Sequence, residues 1–242
     1  MAVIFAADVH LGPERPDIGE RFFHFLELQA RQADALYLLG DLFEAWVGDD
    51  DDDDFAKMVP RKLRALSDSG VPVYLMHGNR DFLIGERFAD DSGCRLLDDP
   101  TRLELHGETV LLSHGDSLCT DDHDYQAFRK EVRDPQWQQR FLAQPLAQRR
   151  EFARNARDAS AQYQQRQPPE IGDVNQQAVE ALMSELKVTL LLHGHTHRPA
   201  VHDFTLADGT EARRIVLGAW YEQGSMVRWD ENGIELIQNL KF

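Results

Sequence analysis

Apolar residues along the chain fall into two patterns, short unbroken runs and stripes at helical spacing, and their alternation predicts an α/β fold. Residues 3–7 predict a buried strand, and 36–39, 73–76, 110–113 and 189–192 predict four more. Between the first two, Phe22, Phe25, Leu26 and Ala30 recur at helical spacing within 20–33. A second helix over 55–69 stops at Gly70, with Val71-Pro72 beyond it. After the fifth strand, 201–205, 214–217, 226–229 and 234–240 are separated by loops that include Asp208-Gly209 and Asn232-Gly233, which predicts antiparallel strands.

The stretch from about Tyr125 to Asn175 breaks this rhythm. It is polar, rich in Gln and Arg, and interrupted by prolines at 135, 145, 168 and 169, so it predicts a helical insertion within one domain spanning 1–242. Its apolar residues Phe128, Trp137, Phe141, Leu142, Leu146 and Phe152 are interleaved with Arg129, Lys130, Arg133, Arg140, Arg149, Arg150, Arg154 and Arg157. Such a segment can hold acyl chains and lie on an anionic membrane, or it can simply pack on the core.

Charge adds to this picture in two places. A net charge of −16 argues against a general nucleic-acid binder. Six consecutive aspartates, Asp49 to Asp54, supply part of it and are expected to form a solvated loop, with metal scavenging a weaker reading. Residues 129–166 hold nine Lys/Arg against four Asp/Glu, which suggests a local anionic partner or, more plainly, a solvated helical face. Cys94 and Cys119 fit neither a disulfide framework nor a thiolate metal site and are expected to be reduced thiols. The first apolar run, Ala2 to Ala7, is too short for a signal core or a membrane span, so the protein is expected to stay where it is made.

The candidate chemistry lies at the strand ends. The five runs are followed by Asp8-Val9-His10, Gly40-Asp41, His77-Gly78-Asn79-Arg80-Asp81, His114-Gly115-Asp116 and His193-Gly194-His195-Thr196-His197. Taken singly, a strand-terminal Asp or His is more often an ordinary loop residue; five in succession are not chance. In an extended chain the i, i+2 spacing of Asp8/His10 and of His195/His197 sends both side chains to one side. Gly40, Gly78, Gly115 and Gly194 are expected to let the backbone turn sharply where the strands end. His24, His106 and His202 are expected to be structural or exposed, His77 and His193 to be packed beside the motifs, and Asp116 is a candidate to orient a ligand histidine. Two cations bridged by a carboxylate ease deprotonation of a shared water and offset charge on an attacked phosphorus, and the sulfur-free set fits Mn, Fe or Zn.

The order Asp-x-His, Gly-Asp, Gly-Asn-x-Asp, His-Gly-Asp and Gly-His-x-His resembles the calcineurin-like metallophosphoesterases. Longer blocks, from Gly40 to Trp46, His77 to Leu83, His114 to Asp122, Gly194 to Ala200 and Leu217 to Trp220, resemble the branch of that family acting on UDP-2,3-diacylglucosamine. The resemblance spans nearly the whole chain, is weakest in the insertion and is absent from the aspartate run. It implies a two-sheet α/β sandwich flanked by helices with a helical insertion cap, and two Mn2+ ions. On the matching residues it implies Asp8, His10, Asp41 and His197 at one ion, and Asp41, Asn79, His114 and His195 at the other, with Asp41 bridging. It further implies water attack on the pyrophosphate of the lipid-linked UDP-sugar. This releases UMP and a diacylglucosamine 1-phosphate, a lipid A step at the cytoplasmic face of the inner membrane of a Gram-negative bacterium, with no obligate protein partner.

Asn79, Arg80 and His195 are the implied catalytic residues, and Asn79, Arg80, Asp122, Arg157, Ser160 and His195 the implied substrate contacts. Where the family pattern has Asn and Lys, this chain has Gln164 and Gln167, which can reach the substrate only as amide hydrogen-bonders. Arg80 favours a diphosphate over an alkyl ester. Much of the wider superfamily has a histidine there, able to protonate an alkoxide; arginine stays charged and clamps phosphate oxygens instead. A phosphate leaving group, with a second pKa of about 6, needs no proton donor. A salt bridge to Asp81 or another loop acid is the structural reading of Arg80. The competing functions are a diphosphatase or phosphodiesterase for another nucleotide-linked substrate and a non-catalytic interaction protein, the latter disfavoured because all seven ligands are present.

Overall fold

Strands that are apolar at every position need cover on both faces. In the computed structural model, which describes residues 2–166, 168–222 and 224–240 apart from the side chains of 164, 165, 169 and 170, the cover is a second sheet on one side and helices on the other. The first strand, β1 (Ala2–Ala6), sends Val3 and Phe5 to one face and Ile4 and Ala6 to the other. Around it runs a six-stranded sheet in the order β11 (Gly233–Leu240), β10 (Gly224–Asp230), β1, β2 (Ala35–Leu39), β3 (Val73–Met76), β4 (Cys94–Leu97). The second sheet runs β5 (Thr101–Leu105), β6 (Glu108–Ser113), β7 (Leu190–His193), β9 (Glu211–Val216), β8 (Ala200–Thr205). Phe5, Leu39, Met76 and Val227 of the first meet Val110, Leu112, Leu192 and Ile215 of the second in one buried cluster.

Helices α1 (Pro16–Leu28), α2 (Asp54–Asp68) and α3 (Glu86–Ser92) cover the outer face of the first sheet, burying Phe22, Phe25, Val59, Leu63 and Phe88. Helices α4 (His123–Val132), α5 (Pro135–Leu142) and α6 (Leu146–Arg166) follow β6, and α7 (Gln176–Leu186) covers the second sheet through Val179 and Met183. The α/β two-sheet architecture expected from the sequence is therefore present. The structure corrects or extends the expectations at three points. The first helix starts at Pro16 rather than residue 20, because proline's fixed φ and missing N–H suit a first helical turn. The C-terminal strands pair antiparallel as expected, β8 with β9 and β10 with β11, but the two pairs enter different sheets, and β9 also lies parallel to β7. A hairpin turn fixes only the pairing of its two neighbours, not the sheet they enter. The half-exposed β4 and β5, and helices α3 and α7, carry weaker patterns that the sequence reading passed over.

The aspartate run is no plain solvated loop. Asp49 accepts from Trp46 Nε1 (3.0 Å) and from the backbone N–H groups of Gly85 and Phe88, capping α3 from outside. Asp53 caps α2 by accepting from Phe55 N (2.8 Å), and Asp54 sits in its first turn, where the helix dipole favours negative charge. Between them, Asp50 pairs with Arg149, and Asp51 and Asp52 pair with Arg150. Arg149 is only 2% exposed and also donates to the Val47 and Gln144 carbonyls. Replacing it with Ala strands the Val47 carbonyl and unpins α6 from the β2–α2 loop. We expect a loss of about 2–4 kcal/mol in denaturant unfolding, less than for a fully buried ion pair because Asp50 stays 58% exposed and solvated. An unchanged midpoint would show that α6 is held elsewhere.

Candidate metal centre

The loops after β1 and β2 keep pairing beyond the strands: Asp8 N donates to Gly40 O, His10 N to Asp41 O, Leu11 N to Leu42 O and Glu44 N back to Leu11 O. Gly194 N to His114 O and Trp220 N to Asp8 O tie the neighbouring loops together. Asp8, His10, Asp41, His195 and His197 all have positive φ, between 51° and 68°. The convergence of Asp8 with His10, and of His195 with His197, is thus not the extended-chain geometry expected from their spacing; left-handed turns aim them. Left-handed backbone costs an L residue roughly 1–2 kcal/mol, and such strain concentrates where function demands it. Gly40 and Gly115 turn through positive φ as expected, but Gly78 and Gly194 are glycine for space. A Cβ at Gly78 would collide with Asp41, and one at Gly194 with the Asp8 carboxylate.

The seven sequence-predicted ligands come together in two groups. In one, His10 Nε2 lies 3.0 Å from His197 Nε2, and His197 Nε2 lies 3.5 Å from Asp8 Oδ1. In the other, Asn79 Oδ1 is 3.0 Å from His114 Nε2 and 2.8 Å from His195 Nδ1. Asp41 stands between them, with Oδ2 3.9 Å from His10 Nε2 and Oδ1 3.7 Å from His114 Nε2. Asp8 also has a carboxylate oxygen within 4.8 Å of donors on both sides. Asp8, His10, Asp41 and His114 are essentially inaccessible, and Asp8 Oδ1 is buried without a hydrogen-bond partner. Nitrogen and oxygen lone pairs converging around an orphaned carboxylate oxygen fit divalent cations.

The electrostatics agree with that fit. Burial raises the Asp41 carboxyl above its ordinary range, against the pull of His114 and His10. Burial also opposes ionisation of Asp8, but the His197 imidazole beside it, with the charges of His114 and His10, holds it well below the usual carboxylate range. His114 is raised to about 9: burial lowers it, but Asp41, Asp116 and Asp8 outweigh that. His195 is pushed down to about 3 by burial and by His114. Its acids are thus uneven in kind, as a site assembled for cations would be.

Around the donors, Arg80 Nη1 lies 3.7 Å and Arg157 Nη1 3.6 Å from Glu44 Oε1. Arg80 therefore pairs with Glu44 rather than Asp81, whose buried carboxylate accepts from Gly78 N and Leu42 N. Asp122 caps α4 and accepts from Tyr163 on α6 (3.0 Å), and Ser160 lies on α6. The Gln164 side chain and Gln167 lie outside the described residues. Asp116 does not orient a ligand histidine. His114 Nδ1 donates to the Leu39 carbonyl (2.9 Å), while Asp116 accepts from Tyr125 OH (2.6 Å) and Arg129 Nε (2.8 Å). His77 bonds the Ile84 carbonyl and His193 packs against Gly194 O and Arg214, away from the donor groups; His24, His106 and His202 are exposed. Both cysteines are buried and free, their thiols pushed up to about 11 for Cys94 and about 12 for Cys119 by burial. The sequence reading missed Glu44 and Tyr221; Glu44 stood within the Gly40–Trp46 block, whereas nothing marked Tyr221.

The basic segment finds most of its anionic partners within the chain: Arg149 and Arg150 on the aspartates, Arg129 and Arg133 on Asp116, Arg157 on Glu44. Its apolar residues divide as well. Phe141 is buried and stacks on Trp137 (4.8 Å), which reaches Phe82, whereas Phe128, Leu142 and Phe152 remain 38–40% exposed. Among the described residues, no helix is long and apolar enough to cross a membrane.

A family model described as calcineurin-like phosphoesterase matches residues 1–199. A UDP-2,3-diacylglucosamine hydrolase of Enterobacter sp. (strain 638) is 53% identical over 238 residues, covering 98% of this chain and 99% of that protein. One from Xanthomonas oryzae pv. oryzae (strain PXO99A) is 51% identical over 245 residues with the same coverage. Among solved structures, an archaeal phosphodiesterase aligns over 98% of this chain at a TM-score of 0.50 and 13% identity, a likeness of fold alone.

Proposed function

Because the chain belongs to the calcineurin-like phosphoesterases and is a metal-dependent hydrolase, we propose that it cleaves the pyrophosphate of UDP-2,3-diacylglucosamine to UMP and 2,3-diacylglucosamine 1-phosphate, in lipid A assembly. The observation that carries this beyond the family is the placement of Arg80 and Arg157 together beside the donor groups. Two guanidiniums suit a diphosphate: both stay charged, both offer several N–H donors, and neither can act as the acid an alkoxide leaving group requires. The near-full-length relatives named for this hydrolysis point the same way.

Asp8, His10, Asp41 and His197 would hold one Mn2+ ion and Asp41, Asn79, His114 and His195 the other, the two oxygens of Asp41 being turned one to each side. When bound, the metals lower the pKa of water and neutralise charge on the attacked phosphoryl group. The protein does the rest. Asp41 Oδ1 also accepts from Arg80 N (2.8 Å), so the bridging carboxylate sets the backbone from which the Arg80 side chain reaches phosphate. Asn79 and His195 hold each other's orientation through their 2.8 Å contact. Arg157 and Ser160 on α6 and Asp122 at the start of α4 are the proposed substrate contacts, and Gln164 and Gln167 are proposed as uncharged contacts beside them. Helices α4–α6 act as a lid on the single domain, with Phe128, Leu142 and Phe152 as its apolar contacts for acyl chains.

The test is UMP release from UDP-2,3-diacylglucosamine beside UDP-N-acetylglucosamine, after chelation and readdition of Mn2+. Turnover of the diacyl substrate alone supports the reading; equal turnover of both moves the enzyme to soluble nucleotide-sugars. We further propose that the enzyme docks peripherally on the cytoplasmic face of the inner membrane. Lys130, Arg140 and Arg154 are exposed and make no ion pair among the described residues. Each cation near an anionic surface contributes roughly 1 kcal/mol, so replacing all three with Ala should weaken vesicle binding roughly 100-fold. Unchanged binding to vesicles containing phosphatidylglycerol would remove these residues from the membrane face.

A further inference from the structure

We propose that Glu44 is the positioning residue that couples the metal ligands to the phosphate-binding arginines, a role that rests on the hydrolysis proposed above. Its carboxylate faces four groups from four parts of the chain. Oε2 is 3.2 Å from His10 Nδ1 and accepts from Tyr221 OH at 3.2 Å; Oε1 is within 3.7 Å of Arg80 and Arg157. The contacts divide by oxygen, one turned to the metal side and one to the substrate side.

The backbone fixes this arrangement before the side chain contributes. Glu44 N donates to Leu11 O at 2.9 Å and Leu11 bridges to Phe43, so the loop after β2 is zipped against the loop carrying His10. Tyr221 stacks on the His10 ring, centroids 4.8 Å apart and planes 11° apart, closing its other face. A carboxylate 3.2 Å from Nδ1 electrostatically favours the proton on that nitrogen, although no hydrogen bond joins the two, and leaves Nε2, 3.0 Å from His197 Nε2, as the donor to a cation. On the other side, Oε1 gathers one guanidinium from the β3 loop and one from α6 around a single negative charge. Two cations sharing one anion leave a net positive pair, held in place until a diphosphate arrives to take both.

Two substitutions separate the two sides. Glu44→Gln keeps an oxygen beside His10 Nδ1 and an acceptor for Tyr221 but loses the charge that gathers the arginines. Glu44→Ala loses both. Calorimetric titration of metal-free protein with Mn2+ reads the metal side with no substrate present, and kcat and KM on the diacyl substrate read the other. Glu44→Ala should weaken Mn2+ binding about 10–100-fold, in the range seen when a partner of a ligand histidine is removed, and Glu44→Gln should restore most of it. Glu44→Gln at saturating Mn2+ should lower kcat about tenfold with KM unchanged or lower, since an anion competing with substrate for the arginines has gone. Equal Mn2+ affinity in parent, Gln and Ala forms overturns the metal-side role. Parent-like kcat in Glu44→Gln, or a fall in thermal midpoint with kcat and Mn2+ affinity intact, overturns the arginine-side role. If the parent fails on the diacyl substrate but Mn2+ affinity still follows Glu44, the substrate assignment fails and the metal-side coupling stands.

Discussion

Asp41→Asn should abolish turnover while leaving the metal-free protein at least as stable as the parent. Asp41 is 2% exposed, and burial and the neighbouring acids Asp81 and Asp8 raise its carboxyl. A charge held under those conditions destabilises the empty fold and persists for what it binds. Asparagine keeps the shape, accepts from Arg80 N through its own Oδ1, and tolerates the positive φ of 51° at this position. Alanine would remove that acceptor and add backbone strain, so asparagine is the cleaner probe of charge. Each remaining group of donors loses its shared anion, and activity should fall at least a thousandfold, about 4 kcal/mol in barrier. Removing a terminal ligand, as in His197→Ala, disturbs one group only and should cost less. Bound Mn2+ by elemental analysis, kcat and the thermal midpoint without metal together decide the matter. An Asn variant with parent-like activity would refute the bridging role, and a lower midpoint without metal would refute the stability argument.

Arg80→Ala should lower kcat on the diphosphate by about 2–4 kcal/mol in barrier, the range for one pre-organised donor to a developing charge. The structure makes this substitution unusually clean. The contact from residue 80 to the Asp41 carboxylate is made by its backbone N–H, which alanine retains, while the side chain points to Glu44 and is not among the proposed metal donors. Metal content should therefore stay near the parent's while turnover falls. Arg80→Lys keeps the charge without the fork and should lie between the two. Normal turnover in Arg80→Ala would make Arg80 a structural partner of Glu44 and end the leaving-group argument.

The sequence by itself determined the strand ends and the polar residues that stand on them. Unbroken apolar runs require burial on both faces, and a strand buried that way can present polar residues only where it stops, so the residues at 8, 10, 41, 79, 114, 195 and 197 were legible as a set. The first two helices were legible too, because stripes at helical spacing have one economical solution. Pairing across the sheets was not. β9 lies parallel to β7 and β10 antiparallel to β1, and such choices depend on which edge is free once the rest has folded. The aiming of these side chains was likewise a tertiary matter: left-handed backbone at Asp8, His10, Asp41, His195 and His197 is locally unfavourable and persists because the surrounding loops bond it in place. Charge misled for the same reason. Asp49 to Asp54 and the basic segment starting at Arg129 each look like solvent-facing runs, yet Arg149 and Arg150 join them about 100 residues apart in sequence. Periodicity and composition are sums over near neighbours, whereas an ion pair or a shared carboxylate such as Glu44 exists only after the chain has brought distant residues within a few ångströms.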